Sequence, residues 1–304
     1  MKKILITGGA GFIGSAVSAE LQAHGHDIAV IDNLSFGNRD FINVPDDRFH
    51  NVDIRDRAAM AQVFAAYQPD WVIHLAAIHF IPYCNQHPYE SADINISGTM
   101  HVLDLAGETA SVSKVFFAST AAVYPIYDDA VSETHATGPL DIYGLSKLTG
   151  ERLCSEFHQR TGIKTVICRF FNAFGPNETN PHLIPEIQQQ INAGKRTINL
   201  GNLTPKRDFI HTSDMARAVR MLMTADGKGI DTFNLGRGIE YSVTEIVEAF
   251  ERQLGEKITI EQEQSRIRKT ERMHLLADVS KLKAESGWEP EWGIDEGIAT
   301  LIEQ

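Results

Sequence analysis

Cysteine is scarce in this 304-residue chain. Cys84, Cys154 and Cys168 contain no CxxC pair and leave an odd one over, which excludes a disulfide framework and a cysteine zinc site. Long apolar runs are missing as well. No stretch approaches the ~20 residues that a membrane helix needs. The opening MKKILITGGAGFIG breaks into glycines without a cleavage signal, so it reads as strand and loop instead of a signal peptide. Cations are in deficit, with 28 Lys+Arg against 40 Asp+Glu and a net charge of -12. No long basic run offsets this, which argues against nucleic acid and anionic membranes as partners. A cytoplasmic protein is expected.

What is present is alternation. Ile4–Thr7, Ile28–Asp32, Trp71–Leu75, Val115–Ser119 and Thr165–Arg169 are short, β-branched or aromatic runs that predict buried strands. Helix-length segments separate them at 13–24, 56–67, 90–106 and 143–158. Such alternation implies an α/β fold, a doubly wound parallel sheet of the Rossmann type covered on both faces. Beyond Arg169 the rhythm loosens. Helices are expected at 185–193, 213–223 and 244–254, with a strand at 197–200. This predicts a smaller C-terminal α/β substrate lobe over 170–304, following a dinucleotide-binding domain over 1–169. Some later segments are expected to return to the first domain.

Thr7-Gly8-Gly9-Ala10-Gly11-Phe12-Ile13-Gly14 follows the first strand and opens a helix. Gly8, Gly11 and Gly14 permit a tight turn and close approach to a pyrophosphate, which then sits at the helix N-terminus. Asp32, ending the second strand, is placed to bond a ribose hydroxyl and favours NAD over NADP. Arg39 is the nearby cation that could instead serve a phosphate. Tyr143 and Lys147, four apart, share a helix face. A tyrosine base must fall from ~10 to near 7, about 4 kcal/mol. One ammonium at ~4 Å in an effective dielectric of 20 supplies about that much. Thr120, at the end of a strand, is a candidate hydroxyl partner. No metal site is expected, since His74 and His79 would not face one way with Cys84.

Taken together, TGGAGFIG, Val52-Asp53-Ile54, His74-Leu75-Ala76-Ala77, Asn95, Ser119-Thr120-Ala121-Ala122-Val123-Tyr124, YGLSK, Arg169-Phe170-Phe171-Asn172, Leu183-Ile184-Pro185 and Arg207-Asp208-Phe209-Ile210 carry a resemblance. In that order they resemble the extended short-chain dehydrogenase/reductase family, in its nucleotide-sugar epimerase/dehydratase branch. The resemblance covers nearly the whole chain. It implies NAD bound by Gly8, Gly11, Phe12, Ile13, Gly14, Asp32, Asn33, Asp53, Ile54, Leu75, Ala76, Ala77, Asn95, Ser119, Tyr143 and Lys147. It further implies a nucleotide-diphospho-sugar, a UDP-sugar before others, held by His79, Thr120, Asn172, His182, Leu183, Arg207, Arg268 and Glu271.

In similar dehydratases carboxyl groups follow the catalytic hydroxyl, where this chain has Ala121 and Ala122. The expected reaction is therefore epimerisation at C4, with Thr120, Tyr143 and Lys147 catalytic. A dehydratase, decarboxylase or 4-keto reductase is the alternative, and an NAD-sensing regulator the non-enzymatic one. The resemblance also implies a homodimer through a four-helix interface built from 90–106 and 143–158. Pro125, the stretch His79–Cys84, His182 and the stretch Gly201–Asp208 depart from the family's better-known members.

Overall fold

A computed structural model describes residues 1–227, 229–263 and 272–302. Its first half alternates β1 (Lys3–Thr7), α1 (Phe12–Ala23), β2 (Asp27–Ile31), β3 (Phe49–His50), α2 (Arg57–Tyr67) and β4 (Trp71–His74). There follow α3 (Ile81–Gln86), α4 (Pro88–Ala92), a π-helical turn at Asp93–Gly98, α5 (Thr99–Glu108), β5 (Lys114–Thr120), α6 (Ile142–Thr161) and β6 (Lys164–Phe170). The remainder comprises β7 (Asn172–Phe174), α7 (Leu183–Asn192), β8 (Thr197–Leu200), β9 (Lys206–His211), α8 (Thr212–Thr224), β10 (Ile230–Leu235), β11 (Glu240–Ser242), α9 (Val243–Leu254), β12 (Thr259–Gln262), α10 (Ser280–Ser286) and α11 (Ile294–Ile302).

The main sheet has seven strands in the order β10-β6-β5-β4-β1-β2-β3, parallel throughout. Apolar side chains on both faces explain why its central strands read as continuous hydrophobic runs. Ile4, Ile6, Val30, Phe116, Cys168 and Leu235 pack on one face; Leu5, Ala29, Val72, Val115, Phe117 and Ile167 pack on the other. Strand order reverses between β1 and β4, which opens a crevice at the carboxyl ends of the strands, where ligands of such sheets bind. This is the doubly wound α/β fold expected. The later chain contributes to it: β10 is the seventh strand, and α8 joins the same core through Met215, Val219 and Leu222.

A second core, with Ile184, Ile187, Ile198, Phe209, Ile246, Phe250 and Ile298, holds α7, α9 and α11 against a three-stranded sheet β11-β9-β7 and a pair β12-β8. Among the described residues no helix is long and apolar enough to cross a membrane.

One expected helix is broken. The span 90–106 divides into α4, the π turn and α5. The cause is Asn95, 1 % exposed, whose side chain accepts from Ile78 N and donates to Ile78 O and Ser146 Oγ. Thr99 Oγ1 donates to Asn95 O, 2.7 Å away, inside the widened turn. Such π turns often mark places where a helix has been adapted to a neighbouring site.

Candidate active site

β1 delivers the chain into the glycine loop. Gly8 has φ +71°, and a Cβ there would lie 2.6 Å from Ala76 N. A Cβ on Gly14 would lie 2.0 Å from Gly8 O, so the loop and α1 touch backbone to backbone. Gly11 caps α1 without a side-chain hydrogen bond, which leaves the positive end of the helix directed at the cleft. Asp32 follows β2. Its two carboxylate oxygens accept from Ala10 N (3.0 Å) and Leu34 N (2.9 Å), tying the loop to the end of the second strand. Burial pushes the Asp32 carboxyl up, and these two bonds hold it down.

Arg39 is turned away. Its guanidinium donates to Ile42 O and Val44 O and lies over the Phe49 ring, so it brings no cation to the ribose position. Asn33 donates to Asp53, and Arg55 grips the same carboxylate, holding it down at about 2.

These groups line one cleft of about 1270 Å³, together with Phe12, Ile13, Ile54, Leu75, Ala76 and Ala77. The uncapped helix, the glycines that admit no side chain and the acid at the strand end fit a dinucleotide. Two residues expected at the cofactor have other tasks. Asn95 does not line the cleft and instead pins the loop after β4 to α6. Ser119 lines it but points its hydroxyl at Glu151 Oε1, 2.6 Å away. Glu151 is held in turn by Arg169 Nε and Nη2, at 2.9 and 2.8 Å. This buried network under the end of β5 was not legible in the sequence, where Glu151 and Arg169 are 18 residues apart.

At that strand end Thr120 and Tyr143 meet across the cleft wall. Asp141 caps α6 by accepting from Gly144 N (2.7 Å), which starts the helix one residue before Tyr143. Burial dominates the phenol and pushes Tyr143 well above the usual tyrosine value, opposed by the nearby Thr120 hydroxyl. Lys147 Nζ donates to Ala118 O (2.8 Å) and lies 5.0 Å from the Phe117 ring centroid. Burial pushes it down to about 8. The expectation that Lys147 by itself lowers the tyrosine is therefore corrected. In the protein alone desolvation of the phenol outweighs any lowering by the ammonium.

Across the cleft lie Asn172, His182, Leu183 and Arg207, with Ala121 and Ala122 beside Thr120. Arg268 and Glu271 lie outside the described residues. A cleft cation that sequence reasoning missed, besides Arg55, is Arg272. It donates to Tyr124 O (2.8 Å), and burial with the nearby Arg207 pushes its pKa down. Its signal was membership of the arginine-rich stretch that also holds Arg266 and Arg268. His79 also lines the cleft, where Asn180 bonds its Nε2 and His182 stacks obliquely 5.8 Å away.

Comparison with known proteins decides the family. A family model described as the NAD dependent epimerase/dehydratase family matches residues 4–236. The chain belongs to that family. It is accordingly an NAD-dependent enzyme of the epimerase/dehydratase kind, and the cleft holds the groups a dinucleotide requires.

A putative UDP-glucose 4-epimerase of Methanocaldococcus jannaschii is 33% identical, over 98% of this chain and 97% of its own length. The UDP-glucose 4-epimerase of Bacillus subtilis is also 33% identical, over 97% of this chain and 94% of its own. Among solved structures, UDP-glucose 4-epimerase of Thermus thermophilus in complex with NAD has a TM-score of 0.89 and 29% identity, covering 99% of this chain and 98% of that one.

Proposed function

We propose that this family member epimerises a nucleotide-diphospho-sugar, a UDP-sugar before others, at C4 of its hexose. The observation that carries the reading is the hydroxyl pair Thr120 and Tyr143, brought to one cleft wall at the carboxyl end of β5 with two alanine methyls following Thr120. Alanine transfers no proton, so elimination of water lacks an agent there, whereas reversible oxidation of one carbinol needs a single base. The similarity to chains named UDP-glucose 4-epimerase supports the same reading.

As the phenolate, which a positively charged oxidised cofactor would favour, Tyr143 takes the proton of the C4 hydroxyl, and Thr120 Oγ1 bonds the same oxygen and keeps it at the phenolate. In its oxidised form NAD would supply reversible hydride acceptance and a positive charge. Lys147, half-neutral near pH 8 and fastened to Ala118 O, holds the floor of the site, where it would hold the cofactor ribose. Arg207 and Arg272 answer the diphosphate in a chain otherwise rich in acids. The part of the chain up to 169, with β10 and α8, serves the dinucleotide; the rest of 170–304 serves the nucleotide-sugar.

The test is product analysis with UDP-glucose and UDP-N-acetylglucosamine. Epimer without net NADH supports the reading; a 4-keto-6-deoxy product defeats it. Tyr143→Phe keeps the buried ring and is expected to lower kcat by about 10²–10⁴-fold with NAD retained. A variant within tenfold of the parent refutes Tyr143 as the base.

A homodimer through α4, α5 and α6 belongs to the same proposal. Tyr89 (91 % exposed), Met100 (51 %) and Leu145 (50 %) are large apolar side chains left on these helices. Leu145→Glu is expected to shift sedimentation from dimer to monomer; a parent that sediments as a monomer overturns it.

A further inference from the structure

His79 lies just past β4, whereas Glu178 and His182 lie about a hundred residues later, between β7 and α7. The fold brings them to one corner of the cleft, and one donor atom from each lies within 4.8 Å of the others. His182 Nδ1 and Glu178 Oε2 are 3.5 Å apart. Two ligands of a tetrahedral zinc, with bonds of 2.0–2.1 Å, stand about 3.3 Å apart. That pair already has the spacing of two ligands on one ion.

Their outer partners are in place too. Glu178 Oε1 accepts from Asn180 N (3.1 Å), which orients the carboxylate and leaves Oε2 to the cluster. The Asn180 side-chain amide lies 3.1 Å from His79 Nε2; with the amide turned so that its oxygen accepts from Nε2–H, the ring is fixed and its other nitrogen keeps a lone pair. One asparagine thus positions two of the three donors, as outer partners do around bound metals.

We propose that His79, Glu178 and His182 form a divalent-cation site of the zinc type within the cleft, with a coordination position open to a substrate oxygen. Two histidines and a glutamate make a three-ligand donor set, and three protein ligands with one open position mark a site that meets substrate instead of a purely structural one. One carboxylate leaves a bound dication with net positive charge, suited to an anionic oxygen such as that of a diphosphate. Ligand separations up to 4.8 Å mean that metal entry draws the donors in by on the order of 1 Å.

The cation would also fasten a strap across the cleft. The segment carrying Glu178 and His182 already reaches α1 through Asn177 Nδ2 and Ser15 Oγ (3.3 Å), and the loop after β2 through Thr179 Oγ1 and Phe36 O (3.0 Å). A bound ion would strengthen the tie to the loop after β4, where Asn180 already meets His79.

This proposal is independent of which sugar is turned over, and its readout is metal, not activity. The full-length protein with its NAD is stripped with a chelator, exposed to Zn²⁺ and gel-filtered. Zinc per chain is then measured by plasma mass spectrometry, and affinity by competition with a chromogenic chelator. About one zinc per chain is expected, with affinity falling about 100-fold or more in Glu178→Gln and in His182→Asn. NAD content and far-UV circular dichroism identify folded variants, and Glu178→Gln, the closest isostere, carries the test if the histidine variant misfolds. Failure of the parent to retain stoichiometric zinc, or undiminished affinity in a folded variant, overturns the site.

Discussion

Lys147 should make the protein less stable at neutral pH, and replacing it with methionine should show by how much. The amine is 3 % exposed, and burial lowers it from the ordinary 10.5 to about 8. Holding it protonated at pH 7 therefore costs roughly 3 kcal/mol, of which its bond to Ala118 O returns about 1.5. Because the folded value lies below the unfolded one, the unfolded chain binds more protons between pH 8 and 10.5. Wild-type stability from this group consequently rises with pH across that window.

Lys147→Met, similar in length and lacking the charge, should be more stable than the parent by roughly 1–2 kcal/mol at pH 7. The advantage should shrink by roughly 2 kcal/mol on going to pH 10, as the parent's penalty disappears. Urea unfolding of NAD-free protein at both pH values measures this, and turnover should be lost in the same variant. A variant less stable than the parent at pH 7, or an advantage that does not change with pH, refutes the reasoning.

Two further pairs of variants separate backbone contact from conformational strain and pairing from burial. Gly14→Ala drives a methyl against Gly8 O, so NAD affinity should fall about 30-fold or more, at a cost of about 1–3 kcal/mol. Gly25→Ala, at φ +76° with nothing within 4 Å, should cost about 1 kcal/mol and leave NAD titration unchanged; equal NAD binding by both variants refutes the contact. Arg169→Met leaves Glu151 buried and unpaired, and should destabilise by about 3–5 kcal/mol in denaturant unfolding. Adding Glu151→Leu should recover most of that loss, and a double variant no more stable than the single one would show that pairing is not what matters.

Local spacing was enough for the framework. The five long strands of the first half, the helices at 12–23, 57–67 and 142–161 and the glycine loop all follow from periodicity and turn chemistry within windows of about twenty residues. So does the helical neighbourhood of Tyr143 and Lys147, because four residues make about one turn. Where local signals fell short, the deciding partner was distant. Phe49–His50 is too short to announce itself and exists as a strand only because Val30 and Ile31 pair with it. The helix at 90–106 gave no local sign of the π turn, which Asn95 acquires by reaching Ile78 and Ser146. Ile230–Leu235 becomes the seventh strand because β6 offers an open edge, far back in the chain.

The chemistry divides in the same way. The amino-acid order alone pointed to many of the side chains that the fold gathers along the cleft, since those sit at strand ends and on successive helical turns. Only the packed structure decided where their protons rest, because desolvation depends on everything around a group. The sign of the Tyr143 shift, the diversion of Ser119 to Glu151 and the gathering of His79, Glu178 and His182 are of that second kind.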